Sequence, residues 1–181
     1  MLGEDVVERM ILFHLIVSPD DEIFERIVNH GLLWGSDEKK MSRFASNSLR
    51  ATEVVSDPDI IRFSILSRPI QNGIKIQNLQ IPLAQQLHSQ FKRIMQSIQP
   101  CNIKLSCSLQ LDEKYVKAVN ELDFQALSDW FRVLINKDLR DLTIKTNRGV
   151  ITSEERVRLD ALCNLIGNVL FPRAYAQLVR H

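Results

Sequence analysis

Residues 60–80 read IIRFSILSRPIQNGIKIQNLQ, and this stretch decides the fold that the sequence predicts. In its first part, Ile61, Phe63 and Ile65 alternate with polar residues. Successive side chains of a strand point to opposite faces, so a period of two is typical of a half-buried strand. We therefore predict a β-strand that begins soon after Pro58.

A turn signal follows this alternation. Asn72-Gly73 is the dipeptide most typical of a two-residue hairpin turn, because both positions of that turn need positive φ. Alternation resumes at residues 74–77, and the next apolar residues continue in the opposite phase, as a β-bulge would produce. Residues 60–80 are thus predicted to form a β-hairpin.

A helix and a third strand extend this region. Pro82 and Pro100 bracket a segment whose apolar residues form one helical stripe. Residues 103–111 then alternate strictly between apolar and polar side chains, which is typical of a half-buried strand of about nine residues. We expect this strand to join the hairpin in one sheet.

Helices are predicted before the sheet. Residues 5–17 would be apolar on most sides of a helix, which indicates a buried helix. Ser18-Pro19 supplies an N-cap and a first helical residue for a second helix, which Gly31 ends. A third, weaker helix is predicted from Ser36.

Helices are also predicted after the sheet. Asp112 begins one through Val116 and Val119, and the apolar residues of 124–135 continue a helical stripe after Asp123. Thr152 and Glu155 have capping-box spacing, and Pro172 ends the helix that they begin. Residues 142–151 are predicted not to be helical, because their pattern fits a second short hairpin.

Together these elements predict an α+β fold. It is a single domain over residues 1–181, with helices packed on a small, mainly antiparallel sheet. Its parts are N-terminal helices in 4–55, sheet and helix in 60–111, and C-terminal helices in 112–179.

Composition limits the class of protein. The 181 residues are 45% hydrophobic and carry 23 basic and 22 acidic side chains, a profile typical of a soluble globular protein. The longest apolar stretch, residues 10–17, is far short of the roughly 20 residues that a membrane span requires, so no span is expected. No basic leader precedes an apolar core, and three cysteines fit reduced thiols. We therefore expect a cytoplasmic protein.

Charge is unevenly distributed along the chain. Residues 1–59 carry 12 acidic and 6 basic side chains, whereas residues 60–111 carry 6 basic and no acidic ones. Such a block can bind an anionic partner, but it can also be neutralised by the acidic N-terminal third. The six basic residues are Arg62, Arg68, Lys75, Lys92, Arg93 and Lys104.

Patterns that would indicate catalysis or metal binding are weak. Ser36 and Lys39 have the Ser-x-x-Lys spacing of penicillin-binding enzymes, but the accompanying motifs are absent from the sequence and a helix N-cap explains the serine. Cys101 and Cys107 are spaced too widely for a typical structural zinc pair. Cys107 and Cys163 are interpreted as core residues. We predict no catalytic residue, no cofactor and no metal ligand.

The leading functional hypothesis is a non-catalytic protein-interaction module, an adaptor or chaperone-like subunit of a larger assembly. A protein partner would bind through the six basic residues and through Val7 and Met10 of the apolar first helix. The alternative is binding of nucleic acid or another anionic surface by residues 60–111. A third possibility is an enzyme without a recognisable motif. The sequence predicts no oligomeric state.

Overall fold

The computed structural model describes residues 2–3, 16, 29–42, 44, 46–69, 73–98 and 112–179. The chain divides into two compact units. The first unit comprises Met1–Arg50 and Pro69–Leu79, and the second comprises Ala51–Arg68 and Gln80–His181. The single-domain interpretation stays a prediction.

The described strands, all in the first unit, are short. Strand β1 (Leu2–Gly3) pairs with β2 (Asn29–His30), and β3 (Leu33–Trp34) pairs with β4 (Ile74–Lys75). Both pairs are parallel. A strand was not expected at Asn29–His30, where the sequence predicts the end of a helix.

The hairpin predicted over 60–80 is wrong, because β4 pairs with β3 and not with a neighbouring strand. The backbone N–H of Ile74 donates to the carbonyl of Leu32 at 2.8 Å. Gly73 lies so close to the Trp34 indole that a Cβ would collide with it. The glycine therefore permits a close approach, which the sequence alone does not distinguish from a turn. A 3-10 turn over Ile76–Asn78 follows β4.

The helix predicted from Ser36 is also wrong over the described residues. The backbone N–H of Gly35 donates to the carbonyl of Lys39 at 2.9 Å, and that of Met41 donates to the carbonyl of Leu33 at 2.8 Å. Glu38 has a φ of 58°, a left-handed conformation that interrupts a helix. Ser36 thus belongs to a tight turn.

All the described secondary structure of the second unit is helical. A π-helical segment, Leu134–Leu139, joins the fifth helix to the sixth. The helices are α1 (Ala51–Val54), α2 (Pro58–Leu66), α3 (Ile81–Ile98), α4 (Glu113–Glu121), α5 (Phe124–Val133), α6 (Arg140–Asn147), α7 (Ser153–Val169) and α8 (Pro172–Val179).

Helix α2 occupies the residues that were predicted to be the first strand. Asp57 is its N-cap, accepting a 3.0 Å hydrogen bond from the backbone N–H of Asp59, and Pro58 is its first residue. Aspartate at the N-cap followed by proline is a strong helix-start signal. Ile60 and Phe63 lie three residues apart on the buried face, so the helical period and not the alternation determines burial.

The second predicted hairpin, 142–151, is replaced by α6 and its C-cap. Gly149 has a φ of 69°. Its N–H donates to the carbonyl of Thr146 at 3.0 Å, while that of Val150 donates to the carbonyl of Lys145 at 3.0 Å. These two bonds form a Schellman motif, in which glycine ends a helix instead of turning a hairpin.

Four of the predicted helices are confirmed. Helix α3 begins next to Pro82 and buries the apolar stripe predicted for it. Helix α4 begins after Asp112, its N-cap, and α5 begins after Asp123, its N-cap. The predicted capping box of α7 is present, with the Thr152 hydroxyl accepting from the backbone N–H of Glu155 and the Glu155 carboxylate accepting from that of Thr152.

The core of the second unit is built from helix faces. Phe171, which precedes α8, is fully buried, and its ring centroid lies 5.9 Å from that of Phe63 and 5.5 Å from that of Phe91. Phe131 of α5 is also buried in this cluster. No described residue of this unit belongs to a strand.

The predicted fold class, helices packed on a mainly antiparallel sheet, is therefore wrong. The described chain is mostly helical, and its strands form two isolated parallel pairs. The strand predicted at 103–111 and the helix predicted at 5–17 lie outside the described residues, apart from Ile16, which is helical and exposed. Within the described ranges, no helix combines the length and apolarity needed to cross a bilayer.

Candidate functional site

Three helices of the second unit, α4, α5 and α7, line a groove of about 1230 Å³ together with the π-helical segment. We call it the helical groove. Its lining residues are Asp112, Lys114, Lys117, Ala118, Glu121, Asp123, Ala126, Asp129, Trp130, Arg132, Val133, Leu134, Asp138, Glu154, Val157, Arg158, Ala161 and Leu162.

Helix caps and one tight turn position α4 and α5, which form two walls of this groove. Asp112 caps α4 by accepting from the backbone N–H of Lys114, and Asp123 caps α5 by accepting from that of Ala126. Between the two helices, Leu122 adopts a left-handed conformation with a φ of 56°. This residue ends α4, and the short Leu122-Asp123 connection leads directly into α5, which packs against α4.

Apolar side chains are exposed in the groove. Val133 of α5 is 54% exposed and Val157 of α7 is 40% exposed, whereas Ala161 and Leu162, which also line the groove, are buried. Exposed apolar residues are ordinary when they are scattered, but their concentration in one concave surface is typical of a binding site.

An aromatic cluster stiffens the wall formed by α4 and α5. The ring centroid of Tyr115 lies 4.6 Å from that of Trp130 and 6.2 Å from that of Phe131. The Trp130 and Phe131 centroids are 5.1 Å apart. Tilted and edge-to-face pairs of this kind stabilise packing by about 0.5–1.5 kcal/mol each, so this wall is held as a rigid surface.

Charged residues surround the apolar part of the groove, six acidic and four basic. Three ion pairs neutralise part of this charge: Lys117 with Glu121 at 3.9 Å, Arg132 with Asp129 at 3.1 Å, and Arg158 with Asp138 at 3.2 Å. The other charged lining residues are Asp112, Asp123, Glu154 and Lys114. The balance that remains is acidic.

A second polar cluster, Asp57, Asp59 and His88, lies where α2 and α3 meet the start of α8. Asp59 is 3% exposed, and its carboxylate accepts hydrogen bonds from the backbone N–H groups of Arg173 at 3.0 Å and Ala174 at 2.9 Å. It thereby satisfies donors in the first turn of α8 from another helix, as a cap residue does within its own.

His88, the third member of this cluster, lies on α3. Its side chain is 6% exposed, and its Nε2 lies 3.6 Å from Oδ2 of Asp57 with no hydrogen-bond partner. The ring also packs edge-on against Phe171, with centroids 5.2 Å apart. Burial lowers the pKa of His88; Asp57 and Asp59 oppose this shift, and Lys92 reinforces it.

A third group of polar side chains is buried in α7. Asp160 is 1% exposed, with Oδ2 at 3.4 Å from Nε of Arg156. Burial raises the pKa of Asp160 and raises that of Cys163 to about 12. A thiol with so high a pKa is almost entirely protonated at neutral pH and is therefore a poor nucleophile. This agrees with the prediction that Cys163 is a core residue.

The structure distributes the predicted basic residues between both units. Lys75 belongs to the first unit and forms an ion pair with Glu38 at 2.8 Å. The others that are described belong to the second unit, where Arg62 lies on α2, Arg68 follows α2, and Lys92 and Arg93 lie on α3. The sequence predicts Arg62, Arg68 and Lys75 on one hairpin. This placement is wrong, because α2 is a helix and β4, which contains Lys75, pairs with β3.

Several predicted residues lie outside the described ranges. These are Val7, Met10, Lys104, Cys101 and Cys107. Their predicted roles, and the shared basic surface that includes Lys104, stay predictions.

Sequence reasoning missed both the groove and the Asp57 cluster. The groove depends on how three helices pack, and the sequence shows only charged and apolar residues at helical spacing. A clue to the cluster was present, because Asp57-Pro58-Asp59 marks a helix start and places two carboxylates beside it.

Comparisons with known proteins identify no relative of this chain. No protein-family model, no curated protein and no solved structure matches this chain.

Proposed function

We propose that this chain is a non-catalytic protein-interaction module, an adaptor or chaperone-like subunit of a larger assembly, and that the helical groove binds its partner. The occupant is an amphipathic helix of another protein, with an apolar stripe flanked by lysine or arginine. The observation that carries this proposal is the exposure of Val133 and Val157 on two different walls of one groove.

The size of the groove favours a polypeptide over a small molecule. Pockets for small ligands usually enclose about 300–1,000 Å³, and this groove is larger, at about 1230 Å³. Grooves lined by helices with an apolar base commonly receive an amphipathic helix, which inserts side chains at positions i, i+3, i+4 and i+7.

Charge supports a basic partner. Lys117, Arg132 and Arg158 each have an acidic partner within the groove lining, which leaves three acidic residues against Lys114. Complementary charge at the edge of an interface accelerates association and disfavours partners of the wrong sign, even where it adds little affinity.

The π-helical segment adds independent support. Leu134 and Asp138 line the groove and belong to Leu134–Leu139. Stretches of π-helix within α-helices are uncommon and occur frequently at functional sites. One such stretch in the wall of the groove is expected if that wall is shaped for binding.

The experiment uses two synthetic peptides of about 14 residues, or four helical turns. Both carry leucine and alanine on one face, and they differ only in having lysine or glutamate on the flanks. Fluorescence anisotropy measures their affinity for the full chain. We expect the lysine peptide to bind more tightly, and Val133→Asp and Val157→Asp each to weaken it at least about tenfold, or 1.4 kcal/mol.

Val150→Asp is the matched control, because Val150 is 64% exposed and does not line the groove. Circular dichroism verifies that all three variants remain folded. The proposal fails if Val133→Asp and Val157→Asp bind the lysine peptide as tightly as the wild type does, or if the glutamate peptide binds equally well.

A further inference from the structure

We propose that Asp57, Asp59 and His88 bind one divalent transition-metal ion, of which zinc is the reference case. The candidate shares no residue with the helical groove and does not depend on the function proposed for that groove. Each of the three side chains offers one ligand atom, and these atoms all lie within 4.8 Å of one another.

The first argument is the separation between donors. Zinc binds imidazole nitrogen and carboxylate oxygen at about 2.0–2.2 Å, so two tetrahedral ligands are about 3.4 Å apart. Nε2 of His88 and Oδ2 of Asp57 are 3.6 Å apart. This separation exceeds an ordinary hydrogen bond and is close to that of two ligands sharing one ion.

The second argument is the state of His88. Its Nε2 is buried and has no hydrogen-bond partner, and a buried polar atom left in that state carries a desolvation penalty. An ion between His88 and Asp57 would give the nitrogen its missing partner.

Hydrogen bonds already orient both carboxylates. Oδ1 of Asp57 accepts from the backbone N–H of Asp59 at 3.0 Å, which directs Oδ2 toward His88. Asp59 is held by the backbone N–H groups of Arg173 and Ala174, with Oδ2 accepting the two shorter bonds. Outer partners of this kind fix ligand orientation in metal sites.

Ligand chemistry and charge select the class of ion. Imidazole is a good ligand for zinc, iron, nickel and copper, whereas magnesium and calcium prefer oxygen alone. Two carboxylates neutralise a divalent ion. Lys92, one helical turn after His88, opposes positive charge there, whereas Asp57 and Asp59 favour it.

The ion would connect α2 to α3 beside the first turn of α8. Asp57 is the most exposed ligand, with 34% of its side chain accessible, so a water molecule can complete the coordination from that side. We assign the site a structural role, in which metal binding stabilises the second unit.

The test titrates chelator-treated full chain with Zn²⁺ alone by isothermal titration calorimetry. Asp57→Ser is the principal variant, because serine preserves the N-cap of α2 but is too short to replace the carboxylate as a ligand. His88→Gln removes the imidazole. We expect the wild type to bind one zinc equivalent that both variants lose or bind at least about tenfold more weakly.

Asp141→Asn is the matched control, since it also removes one carboxylate but at an exposed residue of α6 outside both the cluster and the helical groove. We expect this variant to bind zinc as the wild type does and to show the same zinc-dependent rise in Tm. If His88→Gln fails to fold, Asp57→Ser decides the result. Unchanged zinc stoichiometry and affinity in Asp57→Ser, or zinc binding lost equally in Asp141→Asn, overturns the proposal.

Discussion

Asp59 and Ala174, separated by 115 positions in the chain, are joined by a 2.9 Å hydrogen bond from the backbone N–H of Ala174 to the Asp59 carboxylate. Together with the bond from Arg173, it attaches the start of α8 to α2. A long-range cap of this kind connects the C-terminal helix to the rest of the second unit, so its loss affects the whole unit.

Asp59→Ala should therefore destabilise the second unit by about 2–3 kcal/mol, because two backbone donors lose a charged acceptor. Urea unfolding monitored by circular dichroism measures the change, in chelator so that metal binding does not contribute. Asp59→Asn keeps an acceptor oxygen and should cost less. A loss below about 0.5 kcal/mol for Asp59→Ala would show that the cap is unimportant.

Asp160 should make stability depend on pH. Burial raises its pKa in the folded chain above the ordinary aspartate value of about 3.9, so the folded state binds the proton more tightly than the unfolded state. The contribution of Asp160 to the free energy of unfolding is therefore greatest below that value and falls as pH rises through the folded pKa.

Asp160→Asn removes this dependence. The stability of this variant relative to the wild type should increase from about pH 4 to pH 7, as measured by urea unfolding at each pH. A constant difference across that range would mean that the buried carboxyl has an ordinary pKa.

Cys163 should not react in the folded state. It is fully buried and its pKa is about 12, so both access and thiolate formation are suppressed. Alkylation with iodoacetamide followed by peptide mapping should label Cys163 only after unfolding in urea. Rapid labelling of the Cys163 peptide in the native protein would contradict its assignment to the core.

Gly167 and Tyr175 form a close helix-to-helix contact, since a Cβ on Gly167 would collide with the Tyr175 ring. Gly167→Ala should therefore destabilise the protein by about 1–3 kcal/mol through overpacking. The neighbouring exposed residue provides the control, as Asn168→Ala should change stability by less than about 0.5 kcal/mol.

The Gly167 contact can also be tested by a double-mutant cycle. Tyr175→Ala removes the obstructing ring, so the combined effect of Gly167→Ala and Tyr175→Ala should be smaller than the sum of the separate effects. Additive effects would show that the two residues do not meet.

Helices with explicit end signals could be predicted from the sequence. The capping box of Thr152 and Glu155 and the proline at the start of α3 are local features, which act on adjacent backbone groups whatever the rest of the chain does. The strand predicted soon after Pro58 is wrong, because the alternation of Ile61, Phe63 and Ile65 was given more weight than the helix start at Asp57-Pro58.

The predicted fold class is wrong because local patterns were interpreted without their tertiary context. Gly149 and Gly73 were both interpreted as hairpin turns, yet one ends α6 and the other permits the approach of Trp34. Glycine supplies conformational freedom or space, and only the tertiary structure shows which is used. Val116 and Val119 lie on a predicted helix that forms, but they remain 45% and 39% exposed because no described helix covers them.

The helical groove itself could not be predicted, because α4 and α7, which form two of its walls, are separated along the chain by α5, the π-helical segment and α6. It arises from the packing of α4 and α5 against α7, whereas the sequence reasoning assigned partner binding to Val7, Met10 and the basic residues. The sequence shows that α4 and α5 are amphipathic. It does not show which parts of their surfaces stay uncovered after the helices pack.

The decisive measurement is a nuclear magnetic resonance titration of the ¹⁵N-labelled full chain with the lysine-flanked helical peptide. The groove proposal predicts chemical-shift changes concentrated at Trp130, Val133, Val157 and Arg158, with Val150 unaffected. Changes concentrated instead at Arg62, Lys92 and Arg93, or the absence of saturable changes along α4, α5 and α7, would contradict it.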